Sequence, residues 1–158
     1  MAMDALVKPL LPIALFRGLS PLQITEIARR AERIIYKPGE TIIAEDTIGD
    51  AAVLIVSGDA VRMAGPDYSG VPEPVAPGSL VGEMAMLVES MHSSTIMARG
   101  TVKALRLTRA EMLRQMEEDP SLAEHFVVSI AGRLKSLAED LRLVDKALSR
   151  WSANAPLH

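Results

Sequence analysis

Between about Ile34 and Leu107 the sequence runs as short apolar segments that are separated by turn signals. Pro38-Gly39 predicts a type II turn, because proline fixes φ at the first corner and glycine accepts a positive φ at the second. Gly58-Asp59 predicts a hairpin turn between strands at Ala52–Ser57 and Ala60–Met63. Short strands in such a series close into a roll, which leaves no long unprotected edge. We therefore expect a mainly β fold, a double-stranded β-helix of the jelly-roll type.

Helical segments flank this series on both sides. Ser20-Pro21 is a good N-cap and first-position pair. Thr108 is expected to cap a helix at Arg109–Glu118, and Asp119-Pro120 then begins a second helix that runs to about Arg150. We expect one domain over residues 1–158. Its segments are N-terminal helices at 8–33, the β-roll at 34–107, C-terminal helices at 108–151 and a tail at 152–158.

The last helix carries apolar residues at alternating spacings of three and four, which is a heptad pattern. A domain of this size does not need an apolar stripe along such a helix. Two interpretations stay open: the whole stripe packs on its own roll, or its second half meets the same helix of another subunit. We expect the second, a homodimer, with a seam at Leu134, Leu137, Leu141, Val144, Leu148 and Trp151.

Composition excludes several classes of function. The net charge of −3 argues against a nucleic-acid-binding surface, and the lack of cysteine excludes disulfides and thiolate chemistry. The histidines, His92, His125 and His158, are scattered without metal-ligand spacing. No nucleophile–base pair or P-loop is present, so we expect no enzyme, no cofactor and no metal. No apolar run approaches the ~20 residues that span a bilayer. A soluble cytoplasmic domain is expected.

The segment Gly78–Ala98 has the pattern of a cradle for a nucleotide phosphate. Gly82-Glu83 follows the apolar pair Leu80–Val81 and opens a short apolar helical turn, Met84–Leu87. Backbone N–H groups at such a turn carry partial positive charge and suit an anion. The Glu83 carboxylate is expected to accept hydrogen bonds from a sugar hydroxyl. A cation should face the phosphate, and His92 stands where an arginine would be expected.

Short motifs follow one another along almost the whole chain, from Leu15 to Leu143. They are Phe16-Arg17-Gly18-Leu19-Ser20, Lys37-Pro38-Gly39-Glu40, Gly49-Asp50, Val56-Ser57-Gly58, Pro77-Gly78, Val81-Gly82-Glu83-Met84-Ala85-Met86-Leu87 and Val102-Lys103-Ala104-Leu105. In this order and spacing they resemble the cyclic-nucleotide-binding domain that Crp/Fnr bacterial regulators share with kinase regulatory subunits. The resemblance implies a ligand such as cAMP or another cyclic nucleotide.

The resemblance also implies which residues form the phosphate-binding cassette. The backbone of Gly82, Glu83 and Ala85 and the carboxylate of Glu83 would hold the phosphate and the ribose 2′-hydroxyl. The family's cassette arginine is replaced by His92, and the polar adenine contacts of some members are matched by Leu137 and Ala138. The implied ligand site is Gly82, Glu83, Met84, Ala85, His92, Ser93, Ser94 and Thr95.

Loss of the cassette arginine decides how strongly a cyclic nucleotide is expected to bind. A bidentate charged contact has two hydrogen bonds of about 1.5–3 kcal/mol each, so its loss weakens binding by roughly 10² to 10⁴. A protonated His92 replaces it only in part, because it offers one directed donor to the ligand. Arg62 or Arg99 are candidates to reach in from another strand. We expect weak, pH-sensitive binding or none.

Two functions from different classes remain. The first is a ligand-sensing module in which the long helix reports whether the site beside Glu83 is occupied. The second is a ligand-independent dimeric interaction domain, in which Glu83 only favours a helical turn and His92 is a surface loop residue. The sequence stops eight residues after Arg150, too short for a helix-turn-helix, so direct DNA binding is not expected. The downstream protein partner is not identified by the sequence.

Overall fold

The computed structural model describes residues 2–64 and 71–154, and the side chains of residues 5–64 and 71–150. The strands in these residues are β1 Glu32–Tyr36, β2 Thr41–Ile43, β3 Ile48–Gly49, β4 Ala51–Ser57, β5 Ala60–Met63, β6 Glu73–Val75, β7 Leu80–Val81, β8 Ser90–Met91, β9 Thr95–Ala98 and β10 Val102–Thr108. The helices are α1 Ala2–Val7, α2 Pro21–Arg30, α3 Arg109–Glu118 and α4 Pro120–Asn154, with short 3-10 turns at Ala14–Phe16 and Glu83–Met86. We call the turn at Glu83–Met86 the cassette turn.

Two antiparallel sheets face each other and form the roll. The first has the order β1-β10-β4-β7 and the second the order β2-β9-β5-β6, while β3 and β8 pair separately. Apolar side chains from both sheets form one buried cluster between them, which includes Ile43, Val53, Ile55, Ile96 and Ala104. The predicted fold class, a jelly-roll-like β-roll with flanking helices and a long C-terminal helix, is confirmed.

The central strands β4 and β10 are buried on both faces. Val53 and Ile55 point into the roll, whereas Ala52 and Leu54 belong to a second cluster on the outer face. That second cluster includes Leu105 of β10 and side chains of the helices. A strand that is covered on both faces has a continuous run of apolar residues instead of an alternating pattern. This explains the apolar run at residues 51–56 of β4.

The helices cover part of the outer face of the first sheet. The rings of Phe16 and Phe126 meet edge to face, with centroids 6.3 Å apart. The predicted cap of α2 is present: the Ser20 hydroxyl accepts from the Gln23 N–H, and the Gln23 side chain accepts from the Ser20 N–H. Gly39 has the positive φ of 89° that the predicted type II turn requires.

Some local expectations differ from the structure. The hairpin predicted at Gly58-Asp59 is wrong, because β4 and β5 belong to different sheets and the turn carries the chain from one to the other. Gly58 has φ of 107°, and a Cβ there would lie 2.3 Å from the Thr101 carbonyl oxygen. The helical turn expected at Met84–Leu87 is the 3-10 cassette turn, one residue earlier. Residues 65–70, between β5 and β6, lie outside the described part of the chain.

The remaining differences concern two very short strands and the ends of two helices. The strands β3 and β8 are too short to show alternation, so the sequence did not indicate them. The first helix begins at Ala2 rather than near residue 8, and α4 ends at Asn154. Residues 155–158 of the expected tail lie outside the described residues.

One arginine ties the cassette turn to the roll. Nη1 of Arg109, at the start of α3, donates to the carbonyl oxygens of Gly49 at 2.9 Å, Ala85 at 3.1 Å and Val88 at 3.2 Å. The N–H of Arg109 donates to the carbonyl of Asp50 at 2.7 Å. Arg109 therefore fixes β3, the cassette turn and α3 relative to one another.

Substitution of Arg109 by glutamine should destabilise the fold, since it leaves three carbonyl groups, two of them in partly buried contacts, without their charged donor. We expect a loss of about 2–4 kcal/mol in the free energy of unfolding, measured by urea denaturation. The control is Arg114→Gln in the same helix, whose exposed pair with Glu111 is expected to contribute at most about 0.5 kcal/mol. Equal losses in the two variants would contradict the assigned role of Arg109.

Candidate functional site

A pocket of about 490 Å³ lies against the apolar cluster inside the roll. Its apolar wall includes Ile43 of β2, Val81 of β7 and Ile96 of β9. Its volume lies within the range of about 300–1,000 Å³ that is usual for small-molecule sites. The pocket offers both an apolar wall and a polar mouth, which a nucleotide-sized ligand requires.

The polar part of this pocket brings together half of the predicted site. Gly82, His92, Ser93 and Ser94 all line it. Ser93 is exposed and Ser94 is partly buried, so their hydroxyls are available to a ligand. The structure thus brings the two ends of the predicted cassette, Gly82 and residues 92–94, together in the lining of one pocket.

The His92 ring is packed against two glycines. A Cβ added at Gly49 would lie 2.2 Å from Nε2 of His92, and one at Gly82 would lie 2.9 Å from Cε1. Gly82 also has φ of 65°, a conformation that favours glycine. The backbone of His92 is fixed as well, since its N–H donates to the Thr47 carbonyl and its carbonyl accepts from the Asp46 N–H, both at 2.9 Å.

Partial burial lowers the pKa of His92 below its ordinary value of 6.5, and the nearby Asp50 carboxylate opposes this shift. Asp50 itself pairs with Arg106, which donates to it at 2.7 Å. The neutral imidazole is therefore the main form at pH 7. In this state His92 offers the site a ring and one N–H, and it supplies no positive charge.

Arg62 is the cation that lines the pocket. It lies on β5, directly opposite Ile96 of β9 on one side and Glu73 of β6 on the other. Within residues 2–64 and 71–154, the Arg62 guanidinium makes no ion pair with a carboxylate. Arg99, the other candidate from the sequence, is exposed and does not line the pocket. Its N–H donates to the Asp59 carbonyl at 2.8 Å.

The Glu83 carboxylate faces a different partner. It accepts a hydrogen bond from Nη1 of Arg133, which lies on α4. A second pocket of about 270 Å³ holds Glu83, Met84 and Ala85, and it shares Gly82, His92 and Ser93 with the first. His92 therefore lies at the boundary between two pockets, and the predicted site is divided between them.

Two further residues of the predicted cassette are engaged within the protein. The N–H of Ala85 donates to the Gly82 carbonyl at 3.0 Å. The Thr95 side chain is buried, and its hydroxyl accepts from the Glu45 N–H at 3.0 Å. Both contacts shape the cassette, and neither group lines the larger pocket.

The predicted seam lies on the part of α4 that extends beyond the roll. Leu122 and Phe126 at its start are buried, whereas every residue from 131 to 150 is exposed. The alternative in which the whole stripe packs on its own roll therefore does not hold for that half of the helix. The exposed fractions of the seam residues are Leu134 61%, Leu137 55%, Leu141 62%, Val144 55% and Leu148 58%. The side chain of Trp151 lies outside the described residues.

Sequence reasoning did not find three residues that organise the site: Gly49, Arg109 and Arg133. Gly49 is part of the short motif Gly49-Asp50, but no local pattern indicates that it lies against the His92 ring. The two arginines are more than 20 residues from the groups they contact. In residues 2–64 and 71–154, no group of three His, Asp or Glu side chains could hold a metal ion. No helix of these residues is long and apolar enough to cross a membrane.

Residues 33–119 match a family model described as "Cyclic nucleotide-binding domain". Over 133 residues the chain is 29% identical to the cyclic AMP receptor protein of Thermus thermophilus, covering 82% of this chain and 61% of that protein. Over 97 residues it is 33% identical to the cAMP-dependent protein kinase regulatory subunit of Aspergillus fumigatus, covering 61% of this chain and 23% of that protein. The chain thus spans about three fifths of the first relative and a quarter of the second.

Solved structures show the same architecture. A cyclic nucleotide-binding-like protein from Brucella abortus matches with a TM-score of 0.66 and 28% identity, covering 72% of this chain and 99% of that chain. The catabolite activator protein of Thermus thermophilus matches with a TM-score of 0.62 and 28% identity, covering 83% and 62% of the two chains. The N-terminal domain of a transcriptional regulator from Streptomyces coelicolor has a TM-score of 0.69 at 23% identity, covers 80% and 89%, and supports the fold alone.

Burial of His92 predicts a dependence of stability on pH. The pKa of His92 in the folded protein lies below the ordinary value of 6.5. As the pH falls past that value, the unfolded chain therefore binds more protons than the folded protein does. The contribution of neutral His92 is thus complete above about pH 6.5 and is lost as the pH falls through the folded pKa. We expect wild type to lose more unfolding free energy than His92→Gln between pH 7.5 and pH 5, measured by urea denaturation at each pH. Parallel curves for the two proteins would contradict the assignment.

Proposed function

Because this chain belongs to the cyclic nucleotide-binding domain family, we propose that it is a non-catalytic sensor module with weak, pH-dependent affinity for a cyclic nucleotide such as cAMP. One observation carries the proposal: the pocket of about 490 Å³ brings Gly82, His92, Ser93 and Ser94 together with Arg62. Hydroxyls, a directed N–H and a cation in one polar mouth suit a phosphate. The apolar wall behind them suits a base.

The ligand phosphate is proposed to lie among the Ser93 and Ser94 hydroxyls, opposite Gly82. Arg62 supplies the positive charge that the cassette position lacks, because its guanidinium has no carboxylate partner in the described residues. Protonation of His92 adds a second charge, and a bound phosphate favours that protonated form. Affinity is therefore expected to rise as the pH falls.

Two features keep this affinity low at pH 7. His92 is neutral there, and a neutral imidazole gives one hydrogen bond where an arginine gives a charged fork. Glu73 lies directly across from Arg62 in the β5–β6 pair and lines the same pocket, so its charge opposes an incoming anion. Both effects act on the phosphate and leave the apolar wall unchanged.

The contact between Glu83 and Arg133 gives the site a route to the long helix. Glu83 belongs to the cassette turn and Arg133 to α4, at the point where α4 leaves the roll. A ribose hydroxyl that binds the Glu83 carboxylate competes with or reorients Arg133. The occupied and empty states then differ in how α4 is held, which is the differential interaction that a switch requires.

The exposed half of α4 is proposed to form a homodimer. Leu137, Leu141, Val144 and Leu148 repeat at heptad spacing, and each is more than half exposed in the single chain. A stripe of that kind is covered in a two-stranded coiled coil. The single-domain organisation, the cytoplasmic location and the lack of direct DNA binding that the sequence predicts belong to the same proposal.

A second candidate is a dimeric scaffold that no longer binds a ligand. It is favoured by the His92 ring, which fills the space between Gly49 and Gly82, and by Leu137, which is 55% exposed and does not line the pocket. In that case the fold and the seam would remain while the cassette serves only to join α4 to the roll through Glu83 and Arg133.

Calorimetric titration with cAMP at pH 6.0 and pH 8.0 separates the two candidates. The sensor predicts saturable binding that is stronger at pH 6.0, because His92 is protonated more readily there. His92→Arg should raise the affinity at pH 8.0 by about 10- to 100-fold, since it restores a charged fork. His92→Lys is the matched control, because a point charge without the fork should gain less.

Glu83→Ala and Arg62→Gln should each weaken the same binding. Tight binding that is insensitive to pH would contradict the role of His92. If wild type and His92→Arg are both folded and neither releases heat, the scaffold replaces the sensor as the function.

The seam is tested separately by substituting a residue on it. Leu141→Glu places a charge in the proposed coiled coil and should convert the dimer to a monomer, measured by sedimentation equilibrium. Leu143→Glu is the control, because Leu143 is 65% exposed on the same turn of α4 but lies off the heptad positions. A monomeric wild type, or a Leu141→Glu protein of unchanged mass, would refute the proposed dimer.

A further inference from the structure

The outer face of the first sheet is only partly covered by helices. Leu54 and Leu105 on this face are buried against them. Elsewhere on this face the cover ends, and Ile35 of β1 is 63% exposed while Val56 of β4 is 37% exposed. An apolar sheet face thus continues beyond the helices that bury the rest of it.

A pocket of about 390 Å³ lies at this point. Leu6 of α1 and Pro9 after it form one side, and Ile35 and Val56 form the other. The pocket is on the opposite face of the sheet from the candidate nucleotide site: Leu105, which lines it, belongs to the outer cluster, whereas the neighbouring Ala104 side chain belongs to the cluster inside the roll. Its volume is within the range of about 300–1,000 Å³ usual for small-molecule sites.

Two cations line this apolar pocket. Arg33 lies opposite Leu105 and Lys103 lies opposite Ile35 in the β1–β10 ladder, so all four residues share the outer face. Both cations are exposed, and neither forms an ion pair in residues 2–64 and 71–154. The chain as a whole has a net charge of −3, so this local excess of positive charge is a property of the pocket and not of the surface in general.

We propose that this pocket binds a small amphipathic carboxylate, with its apolar tail between Leu6, Ile35 and Val56 and its carboxylate at Arg33 and Lys103. The apolar tail covers the sheet face that the helices leave open. The carboxylate pairs with cations that have no other partner. The pocket is bounded by α1 on one side and by the strands on the other. Its shape therefore suits a small molecule better than the extended surface of a larger partner. The site is independent of the cyclic nucleotide site.

The probe is octanoate, with octan-1-ol as the matched ligand that lacks the charge. Both are titrated into the ¹⁵N-labelled full chain and followed by amide chemical shifts. We expect saturable shifts for octanoate at Ile35, Val56 and Lys103, and weaker binding of octan-1-ol. The double variant Arg33→Gln/Lys103→Gln should weaken octanoate binding by about tenfold or more and leave octan-1-ol binding unchanged.

The control double variant is Lys37→Gln/Arg99→Gln, which removes two exposed cations that do not line this pocket. It should bind octanoate as wild type does, and both variants should keep the wild-type circular dichroism spectrum. Three results would each overturn the proposal: no saturable octanoate binding, equal weakening in the two variants, or shifts confined to 82–95. Failure of cAMP to bind would leave the octanoate result unaffected.

Discussion

The antiparallel pair of β4 and β10 carries apolar side chains on both faces, and the rest of the molecule is arranged to cover both. The second sheet covers the inner face, where Val53 and Ile55 lie. The helices cover the outer face, where Leu54 and Leu105 pack with Phe16 and Phe126. Since each face needs its own cover, the chain must cross between sheets and must bring its two helical ends together. The covering stops at the open part of the outer face, and the pocket of about 390 Å³ lies there.

In the candidate nucleotide site the cassette turn begins directly after Gly82, and His92 stands where the resemblance implies an arginine. Gly82 and Gly49 leave space at the cassette, and His92 occupies that space with a ring whose pKa burial lowers. Arg62, on a different strand, lines the same pocket and is proposed to supply the positive charge. A site of this kind retains room and hydroxyls for a phosphate while its charge depends on pH. That combination is the physical basis of the proposed weak, pH-dependent sensor.

The long helix has two parts with different roles. Its first turns belong to the core through Leu122 and Phe126, whereas residues 131–150 extend away from the roll and are exposed. Arg133 lies at the beginning of the exposed part and binds Glu83 of the cassette turn. Ion pairs with this degree of exposure contribute little to stability. The contact therefore matters through its position, because it joins the proposed ligand site to the proposed dimer seam.

What the sequence determined by itself is local: the strand and turn series, the Ser20 cap, the positive φ at Gly39, the heptad stripe of α4, and through the resemblance the family. These follow from residues near each other in the chain, so propensity and periodicity reveal them. The tertiary structure alone decided that β4 and β5 enter different sheets, that the Glu83 carboxylate binds Arg133, and that Arg62 rather than Arg99 faces the pocket. Each of these features joins segments that are distant in sequence. Which segments meet depends on how both faces of the sheet are covered, and no local sequence pattern encodes that covering.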